Sequence, residues 1–232
     1  MSNISQHTTA FRLTDTNQNG LVLSFVARRK NYLLFKRCFD ILFSGFVIVL
    51  LLSWLIPLLA LLIKLDSKGP VFFIQKRVGK AGKIFRCLKF RTMIQNDEAD
   101  ETAACENDKR VTRIGRILRS TNLDELPQFF NVLLGQMSAV GPRPHMPADC
   151  IRFSFVVSSY SFRNLVKPGI TGWAQVNGFH GPVSDYENIM LRYYWDAQYI
   201  RKAGFWLDTK IIFQTIGKCV SSFFSLINPP KK

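Results

Sequence analysis

Two adjacent carboxylates, Asp124 and Glu125, lie in the stretch Ser120–Pro144, which closes on an arginine held between two prolines, Gly141-Pro142-Arg143-Pro144. Upstream, Arg113, Arg116 and Arg119 recur every three residues. On a helix that spacing sets three cations in a row, aimed at the acidic pair or at a phosphate between them. A guanidinium braced by prolines suits bidentate phosphate binding. Carboxylates beside such cations can serve as nucleophile, metal ligand or proton acceptor in phosphoryl transfer. Acidic residues are also ordinary helix starters, and capping preference alone accounts for the pair.

The elements that must position these residues can be read from pattern. Thr121 or Asn122 is expected to cap a helix, with both carboxylates at its N-terminus and Pro127 in the first turn, where a missing N–H costs little. Leu126, Phe129, Phe130 and Leu133 then form one buried stripe, and Gly135 stops the helix. Free N–H donors and the helix dipole at that end would depress the pKa of Asp124 and attract phosphate. Val71–Ile74 and Ile84–Phe90 read as a hairpin, with Lys89 and Arg91 on one face about Phe90. Met146–Leu165 is expected to be partly helical. Lys167–Gly178 reads as a turn-rich loop whose small residues admit a ligand close to the backbone. Asp196 falls on a helix over Tyr186–Arg201. Phe205–Ile227 is amphipathic and fits either the core or a bilayer interface.

The chain of 232 residues carries a net charge of +15, which calls for an anionic partner. Its five cysteines are scattered, without a Cys-x-x-Cys pair, and its three histidines are isolated. That argues against a zinc site or a disulfide framework. Residues 1–30 read as a mobile polar tail, 31–66 as a membrane-inserted helix, and 67–232 as a catalytic domain ending in an interfacial helix. The uncharged run Ile41–Ile63 exceeds the roughly 20 residues that span a bilayer. Basic residues flank it on both sides, and the positive-inside rule draws both flanks to the cytoplasm. Pro57 interrupts the run, and Ser53 can serve a freed carbonyl, so a helix that enters and leaves by one face competes with a simple span. A basic nucleic-acid-binding protein would share the charge but not the apolar run. A non-enzymatic membrane scaffold would share both.

Eight segments taken together resemble one family: Lys36-Arg-Cys-Phe-Asp40, Gly69-Pro-Val-Phe-Phe73, Gln75-Lys-Arg-Val-Gly79, Lys89-Phe-Arg-Thr-Met93, Arg113-Ile-Gly-Arg116, Leu123-Asp-Glu-Leu-Pro-Gln-Phe129, Met137-Ser-Ala-Val-Gly-Pro-Arg-Pro144 and Lys167-Pro-Gly-Ile-Thr-Gly-Trp-Ala-Gln-Val-Asn-Gly178. They resemble the bacterial sugar transferases, the monotopic phosphoglycosyl transferases that start exopolysaccharide and O-antigen repeat units, over roughly residues 33–216. The resemblance implies an α+β fold: a re-entrant membrane helix and a mainly helical, cytoplasm-facing domain with a small β hairpin, at the bacterial inner membrane. Larger relatives carry four further N-terminal spanning helices, so the chain resembles the short form or an isolated catalytic domain. The implied reaction moves sugar 1-phosphate from a UDP-sugar to undecaprenyl phosphate with Mg²⁺ and releases UMP. Asp124 would be the nucleophile, and Glu125 its partner at the metal or in proton transfer. Arg119, Arg143 and Lys89 would hold phosphates, with Asp196 and Arg116 as further candidates. The partners implied are the two substrates and inner-membrane lipids, with no nucleic acid; self-association stays open. The loop Phe179–Asp185 resembles that of members using UDP-glucose, with UDP-galactose the other donor. Two positions depart from the family: Trp54 follows Ser53 where Pro is usual, and Gln136 stands where Asp is common, which would remove a structural or metal-linked contact.

Overall fold

The computed structural model describes residues 29–94, 108–179, 181 and 185–227. The polar tail expected over residues 1–30, the acidic segment 96–108 and the loop 179–185 lie wholly or mostly outside the described residues.

The apolar run is helical throughout, in two halves. Helix α1 (Lys30–Val47) passes through a π-helical turn, Ile48–Leu52, into α2 (Ser53–Asp66). At the turn the Ser53 N–H reaches back five residues, to Ile48 O. Ser53 Oγ donates to Val49 O at 2.7 Å and Trp54 Nε1 to Leu50 O at 2.9 Å, so two side chains serve carbonyls where the register changes. Trp54, in the place of the usual proline, therefore supplies a donor. Lys30–Asp66 is the one helix among the described residues long and apolar enough to cross a membrane.

Both halves are fastened to the rest of the protein. From α1, Arg37 donates to the carbonyls of Val132 and Leu133 at 2.7 and 2.9 Å. Asp40 Oδ1 accepts from Ser138 Oγ and from the Ala139 N–H, at 3.0 and 2.9 Å. Lys36 and Tyr32 meet Asp208 at 2.6 and 2.8 Å. From α2, Leu55, Leu59 and Ile63 pack against Phe90 and Leu118. Phe35, Leu42, Phe46, Val49, Trp54, Leu61 and Leu65 stay exposed on the opposite side. A helix wetted along that much apolar surface needs lipid or another partner to cover it.

The expected hairpin forms. Strands β1 (Phe72–Val78) and β2 (Ile84–Phe90) pair antiparallel, with Phe73 opposite Lys89. Arg91 lies past the end of β2 and does not share a face with Lys89. It instead donates to Ser67 Oγ and to the carbonyls of Ser67, Lys68 and Pro70, gripping the exit of α2. Next come α3 (Arg113–Ser120), capped by Thr112, and, after a 3-10 turn at Leu123–Glu125, the short α4 (Gln128–Leu133). In the expected stripe Phe129 is buried but Leu133 is exposed; Val132 takes the inward place, because the helix starts later than the pattern suggests. Gly135 ends it at φ +80°.

A second sheet was not evident in the pattern. Strand β3 (Ser138–Val140) pairs in parallel with β4 (Gly169–Thr171), so part of the expected loop 167–178 is strand, and Trp173–Val176 is helix α6. Two of the small residues there, Gly169 and Gly172, admit protein: a Cβ on Gly169 would lie 2.1 Å from Gly141 N, and one on Gly172 2.2 Å from Gly141 O, whereas Gly178 faces open space. Helix α5 (Pro147–Ser154) and a 3-10 segment, Tyr160–Leu165, lie between. Helix α7 (Tyr186–Lys202) is capped by Asp185, whose Oδ1 accepts from the Asn188 N–H at 2.7 Å. Helix α8 (Phe205–Ile227) buries Ile211 in the core, while Trp206, Phe213 and Ile216 are exposed.

Candidate functional site

The carboxylate pair does not open a helix. Asn122 sits in the left-handed region at φ 58°, which Asn tolerates better than most residues. That residue breaks the chain after α3, and a single 3-10 turn carries Asp124 and Glu125. The N–H groups of Glu125 and Leu126 are spent inside it, on Asn122 O and Leu123 O. Neither Thr121 nor Asn122 caps it with a side chain. The charge that meets the pair therefore comes from side chains.

Glu125 is saturated. Arg143 Nη1 donates to Oε2 at 3.0 Å and Nη2 to Oε1 at 2.6 Å, and Lys89 Nζ adds a contact to Oε1 at 2.7 Å. These cations hold its carboxyl well below the usual range despite burial. Such a carboxylate is a weak base, which counts against Glu125 as proton acceptor. In return Glu125 raises the pKa of Arg143.

Asp124 is as buried as Glu125, yet its carboxylate makes no hydrogen bond or ion pair among the described residues. Burial comes first and the Glu125 charge reinforces it; together they raise its pKa to about 6, against the pull of Lys89, Arg143 and Arg119. This reverses the depressed value expected from a helix N-terminus. The expected donors are absent, and desolvation dominates.

Of the other expected site residues, Lys89, Arg119 and Arg143 converge on the pair. Arg119 is positioned from α3 through Nε, which donates to Thr92 Oγ1 at 2.8 Å. Arg116 remains exposed on α3 and bonds neither carboxylate. Asp196 does not face the pair. It accepts from Arg163 Nε and Nη2 at 3.1 and 2.7 Å, and Arg163 Nη2 also donates to Arg143 O at 2.7 Å. Asp196 thus reaches the site through Arg163, which fixes the Pro-Arg-Pro turn. Neither Arg163 nor Thr92 stood out in the sequence as a site residue. Gln136 keeps a structural contact: its Oε1 accepts from Asn131 Nδ2 at 2.6 Å, and Asn131 in turn clasps β2 through Leu88 and Arg86.

Among the described residues no group of three or more His, Cys, Asp or Glu side chains could hold a metal. Mg²⁺ commonly uses only one or two carboxylates together with substrate phosphates and water. The unbonded Asp124 fits one such place. Glu125 keeps one lone pair on Oε2, which accepts only from Arg143 Nη1, but the two cations already in contact oppose a third.

An unbonded buried carboxylate beside fixed cations, on a domain docked along an apolar helix, is an arrangement whose chemistry suits phosphate esters. The chain belongs to the bacterial sugar transferase family, which it matches over residues 31–222. It is 46% identical over 187 residues to a Klebsiella pneumoniae protein named UDP-glucose:undecaprenyl-phosphate glucose-1-phosphate transferase, covering 80% of this chain and 40% of that one. It is 44% identical to an Aeromonas hydrophila protein named for N-acetylgalactosamine phosphate transfer to undecaprenyl phosphate, with 83% and 45% covered. An exopolysaccharide production protein of Rhizobium leguminosarum bv. phaseoli is 44% identical over 79% of this chain and 94% of its own length. The chain thus spans less than half of the first two relatives and nearly all of the third.

Proposed function

We propose that this chain transfers sugar 1-phosphate from a UDP-sugar to undecaprenyl phosphate through a covalent intermediate on Asp124. The observation that carries this reading is the contrast between neighbours: Glu125 is neutralised by Arg143 and Lys89, while Asp124 is buried, unbonded and within the field of three cations. An Asp124 oxygen attacks the phosphorus that bears the sugar. The bond to the bridging oxygen breaks, and UMP leaves with the electron pair. An oxygen of the lipid phosphate then attacks the same phosphorus and releases the Asp124 carboxylate. Arg119, Lys89 and Arg143 oppose the negative charge that builds in both steps. Mg²⁺, held by substrate phosphate oxygens and Asp124, would supply further charge neutralisation. The names of the relatives support the substrates, and glucose and galactose are the first sugars to test.

The two-point docking of the apolar helix supports a monotopic arrangement at the inner membrane, with both flanks on the cytoplasmic side. With contacts from both halves of the helix to one domain, an arrangement that keeps both flanks on that domain's side of the bilayer preserves all of them. The chemistry is tested by mixing enzyme and UDP-sugar without lipid acceptor. One UMP per active chain should appear in a burst, and Asp124 should gain the mass of a sugar phosphate. UMP release only in the presence of lipid phosphate, or an adduct on Glu125, overturns the mechanism.

A further inference from the structure

Beyond Arg143 in the chain, His145 lies in a group of four arginines, of which Arg163 and Arg192 are buried and Arg77 and Arg143 partly so, with too few anions to pair them all. Arg143 is committed to Glu125, and Arg163 to Asp196. Among the described residues neither Arg77 nor Arg192 is in contact with a carboxylate; Asp149 and Glu125 act on Arg77, and Asp196 on Arg192, only from a distance. Arg77 donates to Pro144 O at 3.2 Å and to Gln75 Oε1. Arg192 donates to Gly181 O at 3.0 Å and is 6% exposed. Between them His145, 4% exposed, meets Tyr160 Oη through Nδ1 at 2.5 Å. Three nitrogens of this group, Arg77 Nε, Arg192 Nε and His145 Nε2, are buried without a hydrogen-bond partner among the described residues. Burial first, and then the charges of Arg163, Arg192, Arg77 and Arg143, hold His145 in its neutral form.

Such an arrangement is costly in the folded chain. Uncompensated buried charge destabilises, and buried donors are rarely left unmet. A cluster kept at that cost fits an anion that supplies the missing charge and accepts from those nitrogens. With Tyr160 Oη donating to Nδ1, neutral His145 offers an Nε2–H of its own.

We propose that Arg77, Arg192 and His145 form a second phosphate subsite, adjoining Arg143 and set apart from Asp124 by the Arg143–Glu125 pair, that takes a phosphate monoester. Within the proposed reaction two such groups pass through the site: the phosphate of departing UMP and the headgroup of the polyprenyl acceptor. The subsite rests on that reading for its ligand's source, and on the unpaired cations alone for its chemistry. No bond is made or broken there; it seats a phosphate next to the transferring one, with Arg143 between them.

The test uses the full chain in detergent and the variants Arg77→Gln, Arg192→Gln and Arg192→Lys. Binding of inorganic phosphate and of UMP is followed by thermal shift and calorimetry. Affinity for at least one should fall about tenfold or more in both Gln variants, with Arg192→Lys recovering part of it. Melting without ligand should hold steady or rise in the Gln variants, because an unpaired buried charge has gone; an arginine serving only as scaffold would lower it. A loss confined to UMP assigns the subsite to the nucleotide. A raised KM for the lipid phosphate, with UMP binding kept, assigns it to the acceptor. Unchanged phosphate, UMP and lipid affinities, or a lower melting temperature with binding intact, overturn the proposal and leave a structural cluster. These binding assays need no turnover, so a chain that binds phosphate here but never releases UMP from UDP-sugars would sink the transferase reading and spare the subsite.

Discussion

Arg143 lays its guanidinium fork across both oxygens of Glu125, at 2.6 and 3.0 Å, while the carboxylate next door in the chain is left unbonded. Consecutive residues in a 3-10 turn point roughly 120° apart, so one cation cannot serve both. The turn thus separates a carboxylate paired with two cations from an unpaired one.

Arg143→Lys keeps the charge and loses the fork. Turnover should fall by about a hundredfold, as for loss of one oriented donor, with membrane association intact. Near-normal turnover would mean that the arginine only braces the turn between Pro142 and Pro144.

Glu125→Gln leaves Arg143 and Lys89 without their shared anion. The fold should lose on the order of 3 kcal/mol, as when one partner of a largely buried ion pair is removed. Turnover should drop severely, yet some adduct should still form on Asp124. Mass spectrometry of the protein after incubation with UDP-sugar reads this directly; an adduct-free variant that melts like wild type would move the chemistry onto Glu125.

Asp196→Asn tests the relay from Asp196 through Arg163 to Arg143 O. Both side chains of the ion pair are almost fully buried, so Arg163 would be stranded as an unpaired charge. We expect a lower melting temperature and a kcat reduced by about a hundredfold, the scale of a small misplacement of a positioning group, with KM for the UDP-sugar moving less. A variant with wild-type kcat would confine the pair to holding α7 in place.

The acidic pair and Arg143 stood out because charge clustering and a proline-braced turn are local signals, and the hairpin followed from its strand pattern; Lys89 entered as a site residue only through the family resemblance. Arg163 and Asp196 lie 33 residues apart in the chain, and nothing periodic links them. The β3–β4 sheet escaped notice because strands of three residues show no alternation, and their pairing depends on glycines meeting backbone from a distant segment. The 3-10 turn was missed because acidic residues before a proline read equally well as a helix start. The sign of the Asp124 shift depends on how much of the folded chain covers it, and no local pattern reports that. Residue by residue, the apolar run announced its length. The π-helical turn that Ser53 and Trp54 satisfy was only hinted at by Pro57.

That turn bears on topology. Cysteines placed at Asn31 and Lys68 should both react with a reagent confined to the cytoplasmic side, and neither should react from the periplasm. Trp54→Phe removes the donor to Leu50 O and should loosen the π-helical turn without removing apolar length. Periplasmic labelling at Asn31 in the wild-type background would establish a single span.

The pH dependence of Asp124 can be worked out in sign. Its carboxyl titrates near 6 in the folded chain, above the ordinary 3.8. The folded state therefore binds the proton more tightly than the unfolded state. Its effect on stability is absent below about pH 4, grows as pH rises from 4 to 6, and is fully adverse above 6. At pH 7 the ionised Asp124 should cost the fold about 3 kcal/mol at most. Asp124→Asn should accordingly melt higher than wild type at pH 7 and at the same temperature near pH 4. It should also release no UMP burst and gain no adduct. In the wild-type enzyme the burst rate should fall about tenfold for each pH unit below 6, since only the anion attacks phosphorus. A burst rate flat from pH 5 to 8, or an Asp124→Asn variant less stable than wild type at pH 7, would show that the carboxylate is held ionised by its cations and that burial does not set its charge.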